Sequence, residues 1–170
     1  MSIENEQSKP ELSPEDLKNM VNQTLLELGS TMKFKKVKEA VPGCESLLGK
    51  RIVMIDDVKD VLESFVKDLV VASGGNASFI LHKDQLLGEL VNEVIQRNPD
   101  IVLVDGNLAG DIKGDMVIEE LRKNNVNAKA IVFSSDSHMA DRVKFKHIDF
   151  VKKEAHDPES SVKRVADIVK

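Results

Sequence analysis

The sequence predicts an α/β fold in which a parallel sheet is wound with helices on both faces, and three observations carry that reading. From residue 50 onward, apolar strand-like runs alternate with amphipathic helical stretches. The first, third and fourth runs are continuously apolar, as expected of strands covered on both faces. Several runs then stop abruptly at charged or hydroxyl side chains, at the strand ends where open α/β sheets bind ligands.

The strand runs are Arg51–Ile55, Ala77–Leu81, Ile101–Val104, Ala130–Phe133 and, more weakly, Ile148–Val151. Helices are expected near 58–73, 83–97, 114–124, 137–145 and 158–169, each with apolar residues at helical spacing. Five such units in about 120 residues imply an open parallel sheet wound with helices on both sides.

Ahead of this region, residues 1–12 are polar and are expected to fray as a disordered tail. Ser13, Pro14 and Asp16 then form a helix start: an N-cap, a proline at the first helical position and a capping acid. Leu17, Met20, Val21, Leu25 and Leu28 recur at helical spacing, and Gly29 is a natural stop. Residues 31–41 suggest a second, basic helix carrying Phe34, Val37 and Val41, ended by Pro42-Gly43. The expected division is a tail over 1–12, a helical extension over 13–48 and an α/β domain over 49–170.

The 170-residue chain is 41% hydrophobic and 31% charged, enough to bury a core and stay in solution. Its formal charge of -5 argues against non-specific binding to nucleic acid or to anionic membranes. No apolar run approaches a membrane span, and the N-terminus lacks a basic-then-apolar leader, so a cytoplasmic location is expected. The single cysteine, Cys44, cannot form an intramolecular disulfide and reads as a small apolar residue. His82, His138, His147 and His156 show no metal-ligand spacing and read as structural or surface residues. The basic stretch Lys33–Lys38 reads as a solvated face.

The strand ends concentrate the chemistry. The first strand ends in Asp56-Asp57, the third in Asp105, the fourth in Ser134-Ser135 and the fifth in Lys152-Lys153. Carboxylates brought to one sheet edge repel one another unless a cation joins them. An all-oxygen donor set selects a hard ion, Mg²⁺ or in its place Mn²⁺. A metal on one side with a hydroxyl and an ammonium opposite suits a phosphoryl group. No GxxxxGK[ST] loop is present to hold a nucleotide, so the phosphoryl group would come from a donor and attach to a carboxylate.

In this ordered set of anchors, residues 50–170 resemble a response-regulator receiver domain, the phospho-acceptor module of two-component signalling. The resemblance implies a flavodoxin-like sheet of order 2-1-3-4-5. It implies that Asp105 accepts the phosphoryl group from a histidine kinase or a histidine phosphotransfer protein. Asp57 would bind Mg²⁺ directly, Asp56 through water, and Asp105 and the backbone carbonyl of Asn107 would complete the protein ligands. Ser134 would bond a phosphoryl oxygen and move on activation, Lys153 would pair with the phosphoryl group, and Phe150 falls at the aromatic switch position. Asn107 and Asp136 fall where the family tunes phosphoryl lifetime, and polar side chains there suggest a short-lived state.

The chain also departs from the family pattern. Lys153 is followed by Glu154 where the family usually has proline, and Lys152 is an alternative for the conserved lysine. Gly114 comes one residue later than the usual glycine, so the loop after Asp105 is expected to be longer. Ser134-Ser135 replaces the more usual Thr/Ser-Ala.

A receiver without a following effector domain would act through protein–protein contact or phosphorelay, with the apolar stripe of the extension covered by its own receiver or by a second copy in a homodimer. Deletion of residues 1–48 is then expected to leave a soluble receiver with altered oligomerisation or partner binding. Two other readings compete. One is a pseudo-receiver that binds a partner without phosphorylation. The other is a Mg²⁺-dependent phosphatase of the haloacid dehalogenase type, whose second aspartate is missing here, since Asn107 stands two residues after Asp105.

Overall fold

A computed structural model of the chain describes residues 11–170. The expected tail therefore lies almost wholly outside the described residues. In chain order the elements are α1 (Pro14–Glu27), a 3₁₀ turn (Glu45–Leu47), β1 (Ile52–Asp56), α2 (Lys59–Ala72), β2 (Ala77–Leu81), α3 (Leu87–Gln96), β3 (Ile101–Val104), β4 (Asn107–Leu108), β5 (Ile112–Lys113), α4 (Gly114–Lys123), β6 (Lys129–Ser134), α5 (His138–Lys144), β7 (Asp149–Lys152) and α6 (Pro158–Ile168). Five strands pair in parallel in the order β2-β1-β3-β6-β7, the doubly wound order expected from the sequence. β4 and β5 form a separate antiparallel hairpin that the sequence reading did not anticipate.

Strand periodicity sorts the core into two layers. Ile52, Met54, Leu103, Ile131, Phe133 and Val151 face α1, α2 and α6. Val53, Ile55, Val102, Val104 and Val132 face α3, α4 and α5. Continuous apolar runs are what this arrangement demands, because alternate residues of one strand enter opposite cores. On the first face Phe65 meets Phe133 edge to face, with ring centroids 5.0 Å apart.

The N-terminal helix is capped as its sequence predicts. The Ser13 hydroxyl accepts from the Asp16 N–H, and the Asp16 carboxylate accepts from the Ser13 N–H. Gly29 ends the helix with φ +78°. α1 packs on α2, and its buried Val21 and Leu25 share a core with Phe65 and Leu69. Val41, Cys44 and Leu47 close the same core from the connecting segment. Burial pushes the Cys44 thiol up to about 11, so it is an inert apolar filler at neutral pH. Met20 departs from the expected stripe. It sits at its rim, 37% exposed, with its sulfur over the Gly74-Gly75 turn.

Residues 31–41 form no helix, which corrects the sequence expectation. The Asn22 side chain binds both the N–H and the C=O of Phe34, at 2.8 and 2.9 Å. An amide that satisfies both backbone groups of one residue competes directly with helical hydrogen bonding. The segment instead runs as an irregular strap with Lys33, Lys35, Lys36 and Lys38 in solvent.

Among the described residues, no helix is long and apolar enough to cross a membrane.

Candidate functional site at the carboxyl edge of the sheet

Backbone pairing continues just past the strand ends and fixes the site residues at one edge. The Asp105 N–H donates to the Ile55 carbonyl at 3.0 Å, the His82 N–H to Asp56 at 2.9 Å, and the Lys153 N–H to Ser134 at 2.9 Å. Asp56 is the last residue of β1 and is 1% exposed, while Asp57 and Asp105 are half-buried. One carboxylate oxygen from each of the three lies within 4.8 Å of the other two.

Each oxygen of the buried Asp56 carboxylate has a partner. One oxygen accepts the Val58 N–H at 2.9 Å, and the other pairs with the Lys153 ammonium. Lys153 also stands 3.3 Å from Asp105 and so bridges the two acids. Burial pushes the Asp105 carboxyl above its ordinary range. Lys153 pulls the other way, while Asp56 and Asp57 add to the upward push. The cluster thus carries three acids against one buried cation, the charge imbalance that a divalent ion would relieve.

The structure distinguishes the two lysines. Lys152 points to solvent, and Lys153, 6% exposed, enters the cluster. Alternation along the last strand decides this, because Val151 and Lys153 share the inward side. Ser134 is buried at the end of β6, and its hydroxyl oxygen accepts the Asp136 N–H at 3.2 Å. Phe150 is half-buried and packs on the α3–α5 core.

Two glycines allow the loop after Asp105 to lie against the sheet edge. A Cβ on Gly114 would stand 2.6 Å from the Asp105 carbonyl oxygen, a backbone atom that cannot swing away. A Cβ on Gly106 would stand 2.9 Å from the Ser134 hydroxyl and 2.7 Å from Met139. The additional loop residue expected from the late Gly114 is taken up by the β4–β5 hairpin, whose turn places Gly110 and Asp111 at positive φ.

Within the hairpin, the Gly114 N–H donates to the Gly106 carbonyl at 3.0 Å. That bond makes Asn107 and Lys113 a non-hydrogen-bonded cross-strand pair, so the Asn107 carbonyl is not used by the hairpin ladder. The Asn107 side chain is used at both ends. Its oxygen accepts from Lys113 at 2.7 Å, and its nitrogen donates to Asp136 at 3.1 Å. The N–H of His138 and the Asn107 amide hold the Asp136 carboxyl below its ordinary range. His82, buried at the end of β2, places Nε2 3.0 Å from the Ala109 carbonyl and ties the hairpin to the sheet.

Asp56, Asp57, Asp105, Asn107, Ser134, Asp136 and Lys153 therefore gather at this edge, while Phe150 lies in the adjoining core and Lys152 faces solvent. Sequence reasoning missed Lys113, because the hairpin that brings it to Asn107 has only Gly110-Asp111 as a local signal. His82, read from the sequence as structural or surface, is buried and structural.

No protein-family model matches the chain, and no curated protein matches it by sequence. Solved structures do match. The response regulator TrrA of Thermotoga maritima, in complex with Mg²⁺-BeF, superposes with a TM-score of 0.54 at 23% identity, over 71% of this chain and 99% of that one. A DNA-binding response regulator of the LuxR family from Staphylococcus aureus gives 0.56 at 17% identity, over 71% and 99%. The receiver domain of Francisella response regulator 1452 gives 0.50 at 16% identity, over 71% and 99%. The chain has the fold of response-regulator receiver domains.

Proposed function

We propose that this chain is a phospho-acceptor receiver of two-component signalling, phosphorylated on Asp105 in a Mg²⁺-dependent reaction. The observation that carries the reading is the convergence of Asp56, Asp57 and Asp105 around one point, with Lys153 bridging two of them. The donor set fits the ion: three carboxylate oxygens within bridging reach and a backbone carbonyl, Asn107, left free by the hairpin ladder. Mg²⁺ bound there would neutralise phosphoryl oxygens. TrrA, which shares the fold, was solved with that metal and a phosphoryl mimic.

The chain's own residues have defined tasks. Asp57, Asp105 and the Asn107 carbonyl would hold the ion directly, and Asp56, which pairs with Lys153, would hold it through water. The Asp105 carboxylate oxygen attacks the phosphorus of a phosphohistidine, and the histidine nitrogen leaves with the bond pair. Lys153 moves its charge from Asp56 to the new phosphoryl group. The Ser134 hydroxyl donates to a phosphoryl oxygen as it moves toward the phosphoryl group, and Phe150 follows the space this vacates. The donor is a histidine kinase or a histidine phosphotransfer protein, and output passes by protein contact or phosphorelay. The module acts in the cytoplasm and works as a signalling device rather than as an enzyme with an external substrate.

Incubation with acetyl phosphate, with and without Mg²⁺, tests this by intact mass. A gain of about 80 Da that needs both Mg²⁺ and Asp105, and is absent in Asp105→Asn, is the expected result. If neither acetyl phosphate nor beryllofluoride modifies or binds the wild-type protein, the reading is wrong and a phosphorylation-independent binding module replaces it.

A further inference from the structure

The Asn107 amide is held in one orientation across the mouth of the site. Asn107 and Lys113 face each other across the hairpin, where directly opposed side chains lie in contact range. The Lys113 ammonium binds the amide oxygen at 2.7 Å, and the amide nitrogen reaches Asp136 at 3.1 Å. Asp136 is fixed in turn, one oxygen accepting the His138 N–H at 3.0 Å and its own N–H on Ser134. The hairpin that carries both residues is pinned by His82 at Ala109 and by Gly114 at Gly106. The row Lys113–Asn107–Asp136–Ser134 therefore links the hairpin to the β6–α5 loop.

Loss of a phosphoryl group from Asp105 requires a water aligned with the phosphorus. The water oxygen bonds phosphorus, the bond from phosphorus to the Asp105 oxygen breaks with its pair returning to the carboxylate, and one water proton passes to solvent, leaving hydrogen phosphate. A side-chain oxygen that accepts a hydrogen bond from that water speeds the step. The Asn107 side chain carries such an oxygen, but turning the amide breaks its bonds to Lys113 and Asp136 together. Both bonds are charge-assisted, one through the Lys113 ammonium and the other through the Asp136 carboxylate, and the Lys113 bond is the shorter.

We infer that Lys113 is a positioning residue that prolongs the phosphoryl state by holding Asn107 against Asp136 and away from the attacking water. This rests on the receiver reading above. It runs opposite to the short lifetime expected from residue types alone, because residue types do not reveal that both ends of the amide are already bound.

The test is phosphoryl decay after removal of acetyl phosphate, followed by intact mass in Mg²⁺. The proteins are wild type, Lys113→Met, Lys113→Gln, Lys113→Arg, Asn107→Ala and Lys113→Met combined with Asn107→Ala. The two neutral variants are expected to decay about two- to tenfold faster than wild type, the lower part of the coupling found within one hydrogen-bond network. Lys113→Arg is expected to stay near wild type, and Lys113→Met is expected to have no effect once Asn107 is alanine. Wild-type decay in both neutral variants overturns the inference, as does an equal acceleration with Asn107 absent, which would make Lys113 a direct partner of the phosphoryl charge. A wild-type protein that takes up no phosphoryl group overturns the receiver reading and this inference with it, whereas uptake without a Lys113 effect overturns the inference alone.

Discussion

Replacing Leu25 with alanine measures how far the N-terminal helix belongs to the core of the α/β domain. Leu25 is completely buried in the cluster that holds Phe65 and Leu69, and the next residue, Leu26, is 66% exposed on the same helix. A buried Leu→Ala change costs about 2–5 kcal/mol, the lost transfer energy plus the cavity left behind. Full burial at a helix–helix contact backed by a sheet leaves little room for collapse, which places Leu25→Ala near about 3 kcal/mol. With each kcal/mol worth about 2–4 °C in a chain of this size, Tm should fall by about 6–12 °C. Leu26→Ala makes the same change in helix propensity without the burial and should stay within about 0.5 kcal/mol. The chain has no tryptophan or tyrosine, so urea unfolding is best followed by far-UV circular dichroism. Equal losses in the two variants would refute the packing of α1 on α2. A midpoint that rises with protein concentration would do the same, by placing the stripe against a second copy.

The same packing revises the truncation expected from sequence. Deleting residues 1–48 removes Val21, Leu25, Val41, Cys44 and Leu47 from a core shared with β1 and α2. The expected product is a destabilised α/β domain with exposed apolar surface, read as a lowered urea midpoint and dye binding; a deletion as stable as the full chain would contradict this. Gly114→Ala should cost about 1–3 kcal/mol and weaken Mg²⁺ binding, because its Cβ meets the Asp105 carbonyl at 2.6 Å, and unchanged metal affinity by calorimetry would show that the loop yields freely. Asp115, fully buried, receives Arg142 at 3.1 Å and Lys146 at 2.6 Å. Burial pushes its carboxyl up, yet the hydrogen bonds from Lys146 and Arg142 outweigh that and hold it below the ordinary range. A depressed acid contributes stability above its unfolded pKa of about 3.9 and loses it as pH falls through the folded value. Asp115→Asn should therefore cost about 1–3 kcal/mol at pH 7, and the difference from wild type should shrink on acidification below about pH 4. A pH-independent difference in urea midpoint would place its cause elsewhere.

What could be read from the sequence was what local pattern encodes. Three strands were legible because burial on both sides of a sheet writes itself as an unbroken apolar run, as in Ile101–Val104, and the other two from their alternation with helical stretches. The capping box at Ser13 and Asp16 was legible because its partners are three residues apart. The anchors Asp56, Asp57, Asp105, Ser134 and Lys153 were legible as a set because each ends a strand, and parallel strands bring those ends to one edge.

The tertiary structure decided whatever depends on partners distant in the chain. Residues 31–41 have the apolar spacing of a helix, but Asn22, from a different element, claims the backbone of Phe34. Lys152 and Lys153 are equivalent as letters, and only the pleat of β7 sends one to solvent and the other to Asp56. Asn107 was visible as a polar residue near the site. Its bonds to Lys113 and Asp136 were not, because they exist only after a hairpin closes and a loop from β6 meets it. Periodicity reports which face of an element is buried, a property each residue carries with its neighbours. Side-chain orientation and charge pairing depend on what the fold places opposite, and that is set only once the sheet has formed.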